Sequence, residues 1–437
     1  MRKSLLWTAG LLLAVLLAGA LPAGAQITGL YYQEVEKDGR VYVFNTPEKL
    51  KAWQTSGDMG VAVSLIGRGP NGETIVGENE TAVDLYLFKH NLPAYDRPTP
   101  KPVVPPAYPK TTIGGRVYAD FSSKENKDKA TGAKSTDSGI GIDVKRFYFT
   151  VTHDFDAVWS AQFQSDIGDQ GAKRYDVFVK KAYIQAKISP AAIIRVGSAD
   201  TPWIPFVEGM YGMRYFEQTV TDHLSFGASA DWGVHFLGKA VNDKLGYQFS
   251  LLNGKGYSNP TRTKSMDFEG RVNFEPVKGL MLAVGTYNGK LGNDTDAVPA
   301  KHTATRNDAL IQWSNDMFKV GGEYFQAKNW KNVTATTTDK ADGYSLWGQV
   351  NFTKAASVFA RYDDVKPSKD LKPNLKDQYY NLGVQYRFNK SIAGSLALKH
   401  AEVKGGTLGT GNGTIGSTVV SKKGEYNEIG VWAVYDF

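Results

Sequence analysis

The chain has 437 residues, no cysteine, Gly 46, Tyr 23, Phe 21 and Trp 9, with 22% charged residues and a formal net charge of +7. Without cysteine, neither disulfides nor thiolate metal sites hold the fold, and glycine, aromatics and polar residues mixed without long apolar runs suit alternating strands. Lys and Arg are dispersed among Asp and Glu with no basic block or stripe, which argues against nucleic acid as a partner.

In chain order, Arg2 and Lys3 precede an apolar stretch from Leu5 to Leu17, and Ala23 and Ala25 form an A-x-A pattern ahead of Gln26. This predicts a secretory signal peptide over residues 1–25 and an exported mature chain. No later run reaches the roughly eighteen apolar residues of a spanning helix. Residues 26–92 read as a small α+β periplasmic domain. "LYYQEVEKDGRVYVF" predicts a hairpin turning at Asp38-Gly39. "NTPEKLKAWQTSGDMG" predicts a short helix with Thr46 as N-cap, Pro47 at its first position and Gly57 as its stop. "TAVDLYLFKHNLP" is read as a further strand. Residues 93–110 carry seven of the 18 prolines and form an extended linker, because proline lacks the N–H and fixes φ.

From Thr111 to Phe437 one theme repeats. In "KRFYFTVT" Phe147, Phe149 and Val151 alternate with Arg146, Tyr148, Thr150 and Thr152, and "KAYIQAKI" and "YNLGVQYRF" repeat the alternation. Period two over eight to ten residues is a strand with one apolar and one polar face. About sixteen such runs are present, each near the length of a tilted transmembrane strand. Short turns such as "HDFDA", "SPA" and "SNDM" take turns with long polar connections such as "SSKENKDKATGAKSTDSG" and "NGKLGNDTDAVPAKHTAT". That alternation predicts an all-β fold, an outer-membrane antiparallel β-barrel over residues 111–437 with its wall in lipid. The final run, Ile429 to Phe437, stays patterned to its last residue, as a strand that closes the sheet must.

"DVKRFYFTVTHDFDAVWSAQFQSDIGD" and "VFVKKAYIQAKISPAAIIRVGSADTPW" resemble the phosphate-selective porin O/P family. In that family a basic strand, a short turn, a Q-x-D-type strand, a K-x-A-Y-I strand and an R-V-G-x-x-x-x-P run follow in this order. The resemblance covers residues 111–437 and is strongest between 142 and 205. It implies a sixteen-stranded Gram-negative outer-membrane channel that assembles as a homotrimer. Where members often carry a bulky residue and a Lys after R-V-G, this chain has Ser198-Ala199-Asp200. Phe437, with Tyr435 and Ile429 on one face, is similar to the carboxy-terminal assembly signal of outer-membrane proteins.

Catalytic motifs are missing: there is no G-x-S-x-G, H-E-x-x-H or Walker loop, and the six His are scattered, so no enzyme and no cofactor or metal is expected. Placing alternate residues inward gives a basic lumen of Arg116, Arg146, Lys181, Lys187, Arg195, Arg271, Lys319, Arg361, Arg387 and Lys399. Inward acids are fewer: Asp120, Asp166, Glu269, Glu323 and Glu428. A positive excess on a pore wall favours anions, while cross-strand pairing of these charges would leave only a polar filling. The connection from Ala199 to Gly233 is rich in aromatics, which predicts that it folds into the lumen as a constriction. Its charges, Asp200, Glu208, Glu217 and Asp222 against Arg214, suggest an acidic loop facing the basic wall. The reading is a porin for passive diffusion of small hydrophilic solutes with modest anion preference. Its alternative is a non-conducting outer-membrane barrel acting as anchor or binding protein for the amino-terminal domain.

Overall fold

The computed structural model describes residues 31–95, 107–169 and 175–437. The signal-peptide reading and most of the proline-rich linker fall outside the described residues. Two compact units divide the chain, Met1–Pro105 and Pro106–Phe437.

The first unit holds β1 (Gln33–Lys37), β2 (Arg40–Phe44), α1 (Pro47–Ser56), β3 (Val63–Leu65), β4 (Thr74–Gly77) and α2 (Glu80–Lys89). The sheet order is β1-β2-β4-β3, with β2 and β4 parallel. Asp38 and Gly39, at φ 54° and 72°, turn the β1–β2 hairpin; a two-residue turn with both centres left-handed matches the twist of its strands. Helix α1 begins at Pro47 and stops at Gly57, whose φ is 74°. Thr46 does not cap it, because its hydroxyl donates to Glu78 Oε2 at 3.2 Å instead.

The segment read as a strand, "TAVDLYLFKHNLP", is helix α2. Val83, Leu85 and Leu87 do alternate, but the Asn79 side chain accepts from the Ala82 N–H at 2.9 Å and starts a helix. Ala82, Val83, Tyr86 and Leu87 then form one buried stripe against Val41, Val43 and Ile75. The cap and the helical stripe outweigh a short alternation.

In the second unit the strands begin with β5 (Lys110–Asp128), β6 (Gly139–Asp154), β7 (Trp159–Asp169), β8 (Tyr175–Ser189), β9 (Ala192–Asp200), β10 (Ala230–Ala240), β11 (Leu245–Leu252) and β12 (Asp267–Phe274). They continue through β13 (Leu280–Gly289), β14 (Ala304–Ser314), β15 (Phe318–Lys328), β16 (Lys340–Asn351), β17 (Ala356–Lys366), β18 (Lys376–Arg387) and β19 (Ile392–Lys404). A small hairpin, β20 (Thr407–Thr410) and β21 (Gly413–Gly416), precedes the last strand, β22 (Lys423–Asp436).

Leaving β20 and β21 aside, these are sixteen strands in one closed antiparallel barrel, sealed by β22 against β5. Connections 155–158, 190–191, 241–244, 275–279, 315–317, 352–355 and 388–391 lie at one end. The longer ones, among them 201–229, 253–266, 290–303 and 405–422, lie at the other.

Alternation decides which face each residue takes. Along β14, Arg306, Asp308, Leu310 and Gln312 are buried inside while Asn307, Ala309, Ile311 and Trp313 are exposed outside. Among the described residues no helix is long and apolar enough to cross a membrane; the elements of crossing length are strands with an apolar outer face.

Candidate pore and constriction

Residues 201–229, between β9 and β10, turn into the barrel and carry α3 (Ile204–Tyr211) and α4 (Val220–His223). Their apolar side chains explain why. Trp203, Val207, Tyr211, Met213 and Phe216 are buried in one cluster with inward residues Ala283, Leu310, Trp347, Phe359, Ala397 and Trp432 of the wall. Phe216 stands edge-on between Phe359 and Trp432, at 5.2 and 4.7 Å between ring centroids. Each such buried side chain contributes about 1.5–3 kcal/mol, so the loop is bound firmly to the β13–β22 side.

Polar groups lock the same contact. Trp203 Nε1 donates to Glu323 Oε2 at 3.2 Å. Arg361 pairs with Asp363 and donates to the Gln218 carbonyl oxygen. Arg306 pairs with Asp308 and Glu269 and donates to the Phe226 carbonyl oxygen. Lys399 stands 3.3 Å from Glu217 Oε2 and 3.2 Å from Glu428 Oε2. The β20–β21 tip adds Asn412 Nδ2, donating to Glu217 Oε2 at 3.1 Å.

Arg361 and Lys399 are therefore buried beneath the loop and neutralised in pairs, Lys399 by Glu217 of the loop itself. The expected acidic loop facing a basic wall takes a different form. Glu217 turns to Lys399 and Asp200 to Lys181 on the wall, while Glu208 at 2.5 Å and Asp222 at 3.5 Å close on Arg214 within the loop. A low-dielectric interface requires such pairing, since an uncompensated buried charge is costly.

Open space remains on the opposite side, along β5, β6, β8 and β9. One cavity of about 470 Å³ has Arg116, Lys180, Lys181, Asp200, Glu208 and Arg214 on its lining. A second, of about 350 Å³, shares Arg116, Glu208, Arg214 and Asp436 with it and adds Arg387. A third, of about 810 Å³ near the short turns, shares Gln385 and Arg387 with the second. Together the first two are lined by five basic residues, Arg116, Lys180, Lys181, Arg214 and Arg387, and three acidic ones, Asp200, Glu208 and Asp436.

The other residues named from the sequence occupy varied settings. Arg116 pairs with Asp436 at 2.5 Å, Arg146 with buried Asp166 at 3.2 Å, and Lys181 with Asp200 at 2.6 Å. Arg195 donates to Gln185 Oε1 at 2.8 Å and lies over the Tyr183 ring, while Arg271 lies over Phe206 at 4.1 Å. Lys319 donates to the Tyr211 carbonyl oxygen at 3.4 Å. Lys187 is exposed near the short-turn rim. Among the described residues, Lys187, Arg195, Arg271, Lys319 and Arg387 have no carboxylate partner, and all lie toward the short-turn end of their strands. Phe437 pairs with Gly115 at the barrel seam.

Sequence reasoning missed Lys145 and Lys180, and both misses have one cause. Tyr118 faces Arg146 but Ala119 faces Val144, so Lys145 is an extra residue; Gln164 faces Lys181 but Ser165 faces Val179, so Lys180 is another. At a β-bulge two residues oppose one, and a side chain that alternation would send outward is re-aimed. Lys145 reaches Asp120 at 3.3 Å and Asp143 at 3.0 Å, and Lys180 reaches the Tyr148 hydroxyl at 3.2 Å. A signal was present: strict alternation at Lys145-Arg146 or Lys180-Lys181 would drive one cation into lipid, at a cost of about 2–4 kcal/mol near the midplane. Arg306-x-Asp308 and Arg361-x-Asp363 were also legible, since residues two apart share a face and can pair along one strand.

A closed sixteen-stranded barrel with its third long connection packed inside has the fold of the porins. Among solved structures, the chain is similar to the anion-selective porin from Comamonas acidovorans, with a TM-score of 0.56 and 14% identity over 75% of this chain and 99% of that one. It is similar to the outer membrane channel DcaP of Acinetobacter baumannii, with a TM-score of 0.53 and 9% identity over 75% and 97% of the two chains. A trimer form of OmpT, an outer membrane protein of Vibrio cholerae, matches with a TM-score of 0.51 and 13% identity over 75% and 99%. No protein-family model matches the chain, and no curated protein aligns with it. At these identities the likeness is one of fold.

Proposed function

We propose that this protein is a Gram-negative outer-membrane porin, a homotrimeric water-filled channel for passive diffusion of small hydrophilic solutes with a modest preference for anions. The observation that carries the reading is the chain of cavities that share lining residues past the Glu208–Arg214 face of the inserted loop, with its excess of basic residues. A solute moving there meets fixed positive charge in a narrow polar passage, which raises the local concentration of anions. One structural neighbour, an anion-selective porin, agrees with that preference, and the trimer form of another agrees with the assembly. The resemblance to the phosphate-selective O/P porins is kept here only as anion preference, because Asp200, paired with Lys181, stands at the R-V-G departure.

In this reading residues 1–25 direct export, 26–92 form a periplasmic unit, 93–110 tether it, and 111–437 form the barrel. Short turns then face the periplasm and long connections the outside, and Phe437 serves as the assembly signal. Purified protein in a planar bilayer tests the proposal. Stable open channels are expected, with a reversal potential of anionic sign in a salt gradient. Absence of channels from folded, membrane-inserted protein would favour a barrel that only anchors its amino-terminal unit.

A further inference from the structure

We infer that the long-loop end carries a binding site for a small amphipathic carboxylate, formed by an aromatic and aliphatic cavity beneath Lys331 and Lys372. The cavity measures about 290 Å³ and lies between connections 329–339 and 367–375 and the β20 strand. That is near the lower end of the range for small-molecule sites and accommodates a ligand the size of benzoate.

Its floor is apolar and anchored. Phe226, Ala327, Ala341, Leu375 and Leu408 belong to one buried cluster. Trp330 forms one side, held by Nε1 donating to the Ser225 carbonyl oxygen at 2.9 Å and by an edge-to-face contact with Tyr287 at 4.9 Å. A ring fixed on both counts presents a pre-formed flat surface, which lowers the ordering cost of binding.

The rim carries three lysines, Lys331, Lys340 and Lys372, against one carboxylate, Asp339. Asp339 is engaged, accepting from the Ser368 hydroxyl at 2.6 Å and the Asp370 N–H at 3.0 Å. Asp370 in turn lies 3.9 Å from Lys340. Among the described residues, Lys331 and Lys372 have no carboxylate partner, and the Lys331 ammonium stands 5.5 Å from the Phe226 ring centroid. Burial first, and neighbouring Lys372 second, hold the Lys331 ammonium below the ordinary lysine value. With Asp339 turned to Ser368 and the Asp370 N–H, Lys331 and Lys372 stand over the apolar floor unpaired among the described residues, and a carboxylate with an apolar body satisfies both halves of the site. A bare inorganic anion would use only the lysines, and a neutral aromatic only the floor.

Calorimetric titration of the detergent-solubilised full chain with benzoate at low ionic strength tests the inference. Saturable binding at one site per chain is expected, with at least a tenfold loss in the double variant K331Q/K372Q. The charge-reversed K331E/K372E is expected to lose benzoate and gain benzylammonium. Among the described residues neither lysine has a carboxylate partner, so their replacement leaves the barrel folded, which heat-modified electrophoretic mobility checks. No saturable binding by the parent protein, unchanged affinity in K331Q/K372Q, or competition by benzyl alcohol or inorganic phosphate equal to that of benzoate would each overturn it. The readout is binding and not current, so its failure is distinguishable from failure of the channel reading.

Discussion

Phe437 and Gly115 exchange both backbone hydrogen bonds, at 2.9 and 3.1 Å, and the ring of Phe437 covers the space a side chain on Gly115 would need. A Cβ on Gly115 would also stand 2.6 Å from the Tyr148 carbonyl oxygen. The last residue thus completes the seam between β22 and β5, where an open edge would leave backbone groups unpaired in lipid.

Removing Phe437, or replacing it with Asp, is therefore expected to leave little heat-resistant barrel in the outer membrane. Gly115→Val is expected to weaken the seam by about 1–3 kcal/mol, the usual cost of overpacking. Electrophoresis of unheated and heated samples reads both; normal amounts of the compact form would refute the seam's role.

The inserted loop depends on Arg361, which is 3% exposed and bridges Asp363 to the Gln218 carbonyl oxygen. Arg361→Met should strand Asp363 as an uncompensated buried charge, at a cost of about 3–5 kcal/mol to loop attachment. Protease susceptibility of residues 201–229 and noisier single-channel current are expected together. A loop as protected as in the parent protein would show that the apolar cluster alone holds it.

Selectivity should follow the unpaired cations. Salt screens charges beyond about 8 Å at physiological ionic strength, and a paired cation has little net field. Replacing Arg271, Lys319 and Arg387 together by Gln is expected to shift the reversal potential toward cations, most clearly at low salt. Arg195→Ala should do the same more weakly. An unchanged potential in the triple variant would assign selectivity to the stretch around Lys180.

In the amino-terminal unit Glu34 meets Lys89 and His90, each at 2.9 Å, and the Tyr32 hydroxyl. Burial alone would raise its carboxyl, but the hydrogen bonds from Tyr32, Lys89 and His90 outweigh it and hold it below the ordinary glutamate value. A carboxylate depressed in the folded state adds stability that is fully present above its unfolded value and is lost as pH falls through its folded one. Amide-exchange protection of β2 in the full chain should therefore drop below the ordinary glutamate range. Glu34→Gln should flatten that dependence; equal pH profiles for the two proteins would exclude Glu34 as its source.

By itself the sequence determined the wall. Period-two alternation, turn residues and the order of short and long connections are local, and burial of one face against lipid leaves each strand a single orientation. The alternating runs "KRFYFTVT" and "KAYIQAKI" fall within β6 and β8. Alternation also overreached, making a strand of α2, where a single Asn79 side chain outweighs three alternating residues. Only the tertiary structure decided the charges. Which of Arg361, Lys399 and Glu217 is neutralised, and which of Arg195, Arg271 and Arg387 stays unpaired, depends on where the inserted loop comes to rest, many strands away from its origin. The bulges at Lys145 and Lys180 belong to the same class, since register between neighbouring strands is a property of the closed sheet rather than of either strand. Pairing is long-range and the pattern short-range, so the sequence shows which residues point inward, and only the closed barrel shows which of them still carry an uncompensated charge.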